Sequence, residues 1–195
     1  MTAGEVPNLY PSEPVPVRLM NTIWADRDGV HDALGTVGQL EQWARQCGLS
    51  PASKLTRDDL DSARALRDAV RRLAASALDD DRPGAVPDLS TEDALGVLNG
   101  FLGALSPELL HDQDGGYRRG WSTELRGFAR TLSNVALDAT DVLDEAGRRL
   151  GVCHGPGCVL YFARVPARRG WCSDACGNRA RVARHYQRTK GGAGR

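Results

Sequence analysis

The chain has 195 residues, 41% hydrophobic and 26% charged, a composition that fits a globular protein and excludes the disordered and fibrous classes. It has no run of about 18 apolar residues and its start lacks the basic and apolar regions of a signal peptide, so a cytoplasmic protein without a membrane span is expected. The formal net charge of zero divides unevenly: residues 1–152 hold 16 Lys/Arg and 24 Asp/Glu, whereas residues 153–195 hold nine Lys/Arg and Asp174 alone. An acidic body with a basic module is implied, the module suited to a polyanion or to folding back on the body.

Residues 1–14 are Pro-rich and polar and are expected to form a flexible arm. "VPVRLMNTI" alternates Val15, Val17 and Leu19, which predicts a short strand. From about Asp32, apolar residues at Leu34, Val37, Leu40, Trp43, Ala44 and Cys47 follow helical spacing, and Gly48 marks the stop. Thr56 is a plausible N-cap for a second helix with the stripe Ala63, Leu66, Val70, Leu73 and Ala77. A turn-rich connection, "DDDRPGAVPD", leads to a third helix capped by Ser90 or Thr91, with Leu95, Leu98, Leu102 and Leu105 on one side. The turn signal Asp114-Gly115-Gly116 predicts a hairpin. A last long helix is predicted from near Ser122 to Leu150. Trp24, Trp43 and Trp121 read as core, and Cys47 as a small buried apolar residue.

Four of the five cysteines form the pattern Cys153-x4-Cys158-x13-Cys172-x3-Cys176. Neither pair has the Cys-x-x-Cys spacing of a redox dithiol, while two close pairs supply the four ligands of a closed tetrahedral zinc site. One structural Zn2+ per chain is therefore expected on Cys153, Cys158, Cys172 and Cys176. His154 and His185 are conceivable substitutes that four paired thiols make unnecessary. "HGPG" forms the loop of the first pair, "VLYFARVPARRGWC" reads as two short strands, and a helical turn spans Cys172 and Cys176. Such a knuckle, hairpin and helix make a treble-clef-like finger. Metal removal is expected to unfold residues 153–190 while the helical body survives.

A helix after Cys176 puts Asn178, Arg181, His185 and Arg188 on one side, with Arg184 beside them; Arg179, Arg168 and Arg169 extend the charge. Arginine pairs bidentately with phosphate or guanine and Asn with adenine, so these residues are candidate DNA contacts. Asn21 and Thr22, at the end of the first predicted strand, and Arg118 and Arg119 beside Trp121 are candidate contacts for a small ligand.

"WCSDACGNRARVARHYQR" and "CHGPGCVLYFAR" resemble the CGNR zinc-finger family, whose signature stands here as Cys176, Gly177, Asn178 and Arg179. "LMNT", "LEQWARQCGL" and "ALRDAVRRL" resemble the ABATE domain that usually precedes this finger and is assigned to stress-induced transcription regulation. The resemblance implies that the four cysteines bind zinc and that the family binds DNA.

The expected architecture is mainly α with a small β element: an arm over 1–14, a helical ABATE-like domain over 15–150, a finger over 151–190 and a disordered tail over 191–195. The expected function is a bacterial-type, DNA-binding transcription regulator whose helical domain senses a small-molecule effector or forms a homodimer. The alternative is a zinc-stabilised adaptor for an acidic protein partner. An enzyme is not expected. Four cysteines close the metal shell, and the predicted finger hairpin has no His, Asp or Glu for a nuclease.

Overall fold

The computed structural model describes residues 6–49, 51, 53–144, 146–165 and 167–191. The expected tail over 191–195 lies outside the described residues beyond Gly191.

From Val6 onward the segment expected as a loose arm lies against the body. Val6 is buried, its amide donates to Gln42 Oε1, and Glu13 is buried as well. The first element is a helix, α1 (Val15–Met20), and not the predicted strand. Pro16 sits in its first turn, where a fixed φ and a missing N–H cost nothing. Burial of Pro16, Val17, Leu19 and Met20 is a helical face that the Val-x-Val-x-Leu alternation imitates.

A small hairpin follows, β1 (Ile23–Ala25) paired antiparallel with β2 (Val30–Asp32). Because β2 takes residues 30–32, the next helix, α2 (Val37–Gln46), starts five residues later than its apolar spacing suggests, with Thr36 as N-cap. Trp43 is buried in it, and Cys47 is half-buried against the core. The long α3 (Arg57–Ala77) begins at the expected N-cap, Thr56, which also forms a capping box with Asp59. Its buried face holds Leu60, Ala63, Leu66, Val70 and Leu73, and also two arginines, Arg67 and Arg71.

Helix α4 (Thr91–Leu102), capped by Ser90, buries Ala94 and Leu98 but leaves Leu95 exposed, against the predicted stripe. The predicted hairpin forms from β3 (Ser106–His111) and β4 (Tyr117–Ser122), in register from Ser106↔Ser122 to His111↔Tyr117. Trp121 is 38% exposed on it, so it is not a core residue. Its ring faces outward because the hairpin contacts chiefly itself.

The predicted helix from Ser122 to Leu150 is shorter. Ser122 belongs to β4, and Gly127, at φ 60, sets a left-handed entry that α5 (Gly127–Asp144) starts from. A short α6 (Ala146–Arg149) leads into β5 (Leu150–Val152). Strand β6 (Tyr161–Ala163) pairs antiparallel with β5. The two-stranded reading of "VLYFARVPARRGWC" is thus corrected: β6 has its partner upstream, because Leu150, Gly151 and Val152 offer a buried edge. The last element among the described residues is α7 (Asp174–Gly191). Among the described residues the architecture is mainly helical with three small antiparallel pairs, an α+β fold.

Helices α1, α3, α4 and α5 enclose the main core. Leu150, Val152 and Tyr161 of the last strand pair belong to that core, while Cys153, Leu160 and Phe162 line a second one around the cysteines. One small sheet therefore serves as a wall for both.

Candidate metal centre and basic helix

Cys153 follows directly on β5, and its amide donates to Leu160 O at 3.1 Å. The chain then turns through His154–Gly157, closed by Cys158 N–H to Gly155 O at 2.8 Å. Gly157, at φ 71, takes the left-handed conformation that this tight knuckle requires. Cys172 and Cys176 straddle the start of α7, where Ser173 Oγ accepts from the Cys176 amide at 3.3 Å.

All four sulfurs are buried and lie within 4.8 Å of one another. Cys158 and Cys172 Sγ are 3.8 Å apart and Cys172 and Cys176 Sγ 3.4 Å. A tetrahedron with zinc–sulfur bonds of about 2.3 Å has edges of about 3.8 Å. The cluster has that size, and the cysteines form no disulfide. Crowded thiols also titrate against one another. Hydrogen bonds from Cys158 and Cys172 hold Cys153 well below the usual thiol range, and Cys153 in turn pushes Cys158 and Cys172 up. Four thiolates share this space only around a cation. The site is a structural centre for one zinc ion, held by Cys153, Cys158, Cys172 and Cys176.

The residues after the last ligand explain themselves in three dimensions. A side chain at Gly177 would press on Trp171, its Cβ 3.0 Å from Cδ1. Arg179 donates to Cys176 Sγ at 2.9 Å, offsetting thiolate charge. Asn178 Oδ1 accepts from the Arg181 guanidinium. Past the buried Ala180, the helix carries Arg181, Arg184, His185, Tyr186 and Arg188 exposed.

Two family models match the chain. The ABATE model, "Putative stress-induced transcription regulator", covers residues 13–146. The CGNR zinc finger model covers residues 149–189 and contains the four ligands and the Cys176–Arg179 segment. The chain belongs to the ABATE family and ends in a CGNR zinc finger. No curated protein matches it.

The structure separates the predicted finger residues into two groups. Arg181, Arg184, His185 and Arg188 share the exposed stretch of the CGNR helix, and Arg168 is exposed on the loop before it. Arg169 is turned inward: it pairs with Glu13 at 2.6 Å, donates to Ala163 O, Trp171 O and Cys172 O, and lies 5.1 Å over the Phe162 ring. Its place is within the finger, so it is withdrawn as a DNA contact. Arg179 has its Cys176 contact and remains exposed.

Neither predicted ligand contact of the ABATE domain lines a binding cleft with the other. Asn21 is buried, and its side-chain amide bonds both backbone groups of Tyr161. Thr22 is buried too, its hydroxyl donating to Leu19 O. Buried and paired with the β6 backbone, Asn21 is a structural contact here. Arg118 and Arg119 stand exposed on β4, opposite Leu110 and Leu109. His154 is exposed on the knuckle and outside the thiol cluster.

Sequence reasoning missed the residues that join ABATE domain and finger. Glu13 accepts from Ala163 N at 2.7 Å as well as from Arg169. Arg71, fully buried, donates to Met20 O, Ala85 O and Val159 O, and burial pushes its pKa down to about 10. Arg82 donates to Cys153 O and Cys158 O, each at 2.9 Å. The one signal available was the pair of arginines, Arg67 and Arg71, interrupting an apolar helix face. Glu13 and Arg82 sit in segments whose composition reads only as loop.

No helix among the described residues is long and apolar enough to cross a membrane.

Proposed function

We propose that this protein is a DNA-binding transcription regulator in which the zinc centre fixes the start of a basic helix and that helix meets DNA. The observation that carries the reading is the exposed stretch Arg181, Arg184, His185 and Arg188, continuous with a rigid, metal-anchored first turn. Arginines at spacings of three and four track one flank of a groove and hold phosphates or guanine edges bidentately. Asn178, Arg179 and Arg168 are exposed as well and are further candidate contacts on this reading. The membership in a family of transcription regulators supports the reading.

One finger offers a small footprint, so site recognition on this reading uses two copies of the chain or a second protein. The ABATE domain then either joins the copies or answers a small-molecule effector.

Fluorescence anisotropy with genomic DNA fragments at several salt concentrations tests the proposal. Site-dependent affinity, falling steeply with salt, is expected. Binding that ignores both sequence and salt sinks it. Loss of an acidic protein partner on replacing Arg181, Arg184 and Arg188, with DNA affinity untouched, would move the helix to the adaptor reading.

A further inference from the structure

The first zinc ligand pair is held from outside the finger. Arg82 lies in the loop between α3 and α4 of the ABATE domain, 71 residues before Cys153. Its Nη1 donates to the carbonyls of Cys153 and Cys158, both at 2.9 Å, and so bridges the two ends of the knuckle. Nε and Nη2 of the same guanidinium grip the two oxygens of Asp80, each at 2.7 Å. Asp80 is itself buried and takes the hydroxyl of Tyr161, on β6, at 2.5 Å. The guanidinium also lies 5.3 Å from the centre of the Tyr161 ring.

Within the knuckle, backbone bonding is sparse: Cys158 N–H to Gly155 O, and Cys153 N–H to Leu160 O. The separation and direction of Cys153 and Cys158 therefore depend also on what their carbonyls bind. A planar, permanently charged fork meets both carbonyls and both oxygens of a carboxylate at once, four bonds where an ammonium has only three donors. Four thiolates around a divalent cation also leave a net negative centre, which a nearby guanidinium stabilises.

We propose that Arg82 is a positioning residue of the zinc centre, so that the ABATE domain sets how firmly the finger holds its metal. Zinc loss loosens the Asp80–Arg82 loop, and by linkage a ligand or partner that moves this loop changes zinc retention in equal measure. The inference rests on the zinc assignment and does not depend on DNA binding.

The test is zinc release from the full-length, zinc-loaded protein to an excess of a chromogenic chelator. Arg82→Ala is expected to release zinc about 10-fold faster or more, the usual scale for partners one layer out from a metal. Arg82→Lys keeps the charge but not the fork, and is expected to fall between it and the wild type. Leu98→Ala, in the α3–α4–α5 core away from the finger, lowers the unfolding midpoint while leaving release at the wild-type rate. Cobalt-substituted Arg82→Lys should also show altered visible bands, which a loss of stability alone would not produce. Wild-type release from Arg82→Lys overturns the proposal, whether or not Arg82→Ala folds. Equal acceleration by Leu98→Ala overturns it too, as general destabilisation. A wild-type protein that carries no zinc would bring down the metal assignment and this inference together.

Discussion

Asn21 donates its side-chain amide to the Tyr161 carbonyl at 2.9 Å and accepts from the Tyr161 amide at 3.0 Å, across 140 residues of sequence. The outer edge of β6 is thereby closed by side chains. Two residues on, Glu13 takes the Ala163 amide and Arg169 donates to the Ala163 carbonyl. Replacing Asn21 with Ala strands a buried donor and acceptor on that edge. A loss of about 2–4 kcal/mol is expected, measured as a lower urea midpoint with an unchanged slope.

Removing the metal should be felt beyond the finger. Leu150, Val152 and Tyr161 wall the ABATE core from the same sheet that presents Cys153 and Phe162 to the metal side. Against the sequence-based expectation that the helical body survives metal removal, chelation is therefore expected to release about one zinc per chain and to lower a single unfolding transition, seen together by far-ultraviolet dichroism and tryptophan fluorescence. Two separate transitions, with the helical body unaffected, would show that the sheet does not couple them.

Arg169 and Arg188 make a matched contrast. Arg169→Ala leaves Glu13 buried without its cation and is expected to cost roughly 3 kcal/mol. Arg188→Ala, on the exposed helix, should change stability by less than about 0.5 kcal/mol. On the proposed function, it should also reduce the salt dependence of DNA affinity by about one phosphate contact. Thermal melts and anisotropy titrations of both variants separate the two roles.

Acid should attack the Arg82 loop. Burial opposes ionisation of Asp80, but its hydrogen bonds with Arg82 and Tyr161 outweigh that and hold its carboxyl below the usual range. A folded value below the unfolded one, about 3.9, means stabilisation that is present above pH ~4 and lost as pH falls through the folded value. Asp80→Asn should be less stable at pH 7 and lose less stability between pH ~4 and pH ~2, in urea titrations at each pH. Asp32, held low against the cost of burial by Arg67, adds to the wild-type slope with the same sign.

The zinc ligands were legible because metal spacing is a local property. Cys153 to Cys176 spans one short segment, and two close pairs of thiols serve little else but a closed tetrahedral site. The Thr56 N-cap and the Asp114-Gly115-Gly116 hairpin turn were legible for the same reason, since each is decided within a few residues. Val15–Met20 was misread because six residues are too few to tell a period of two from one of 3.6.

By itself, the sequence determined the metal and its four ligands, the long capped helix, the β3–β4 hairpin and the basic stretch after Cys176. Only the tertiary structure decided which charges face outward. Arg169 is as basic on paper as Arg184 and Arg188, yet it turns inward onto Glu13, while Arg179 stays exposed and also reaches a ligand sulfur. It also decided that Asn21, Glu13, Arg71 and Arg82 bind the finger to the ABATE domain. The physical reason is that a buried hydrogen bond depends on which backbone groups the fold leaves unpaired. Those groups, on the knuckle and the edge of β6, lie 71 to 150 residues away from the side chains that satisfy them, where no periodicity or spacing reaches.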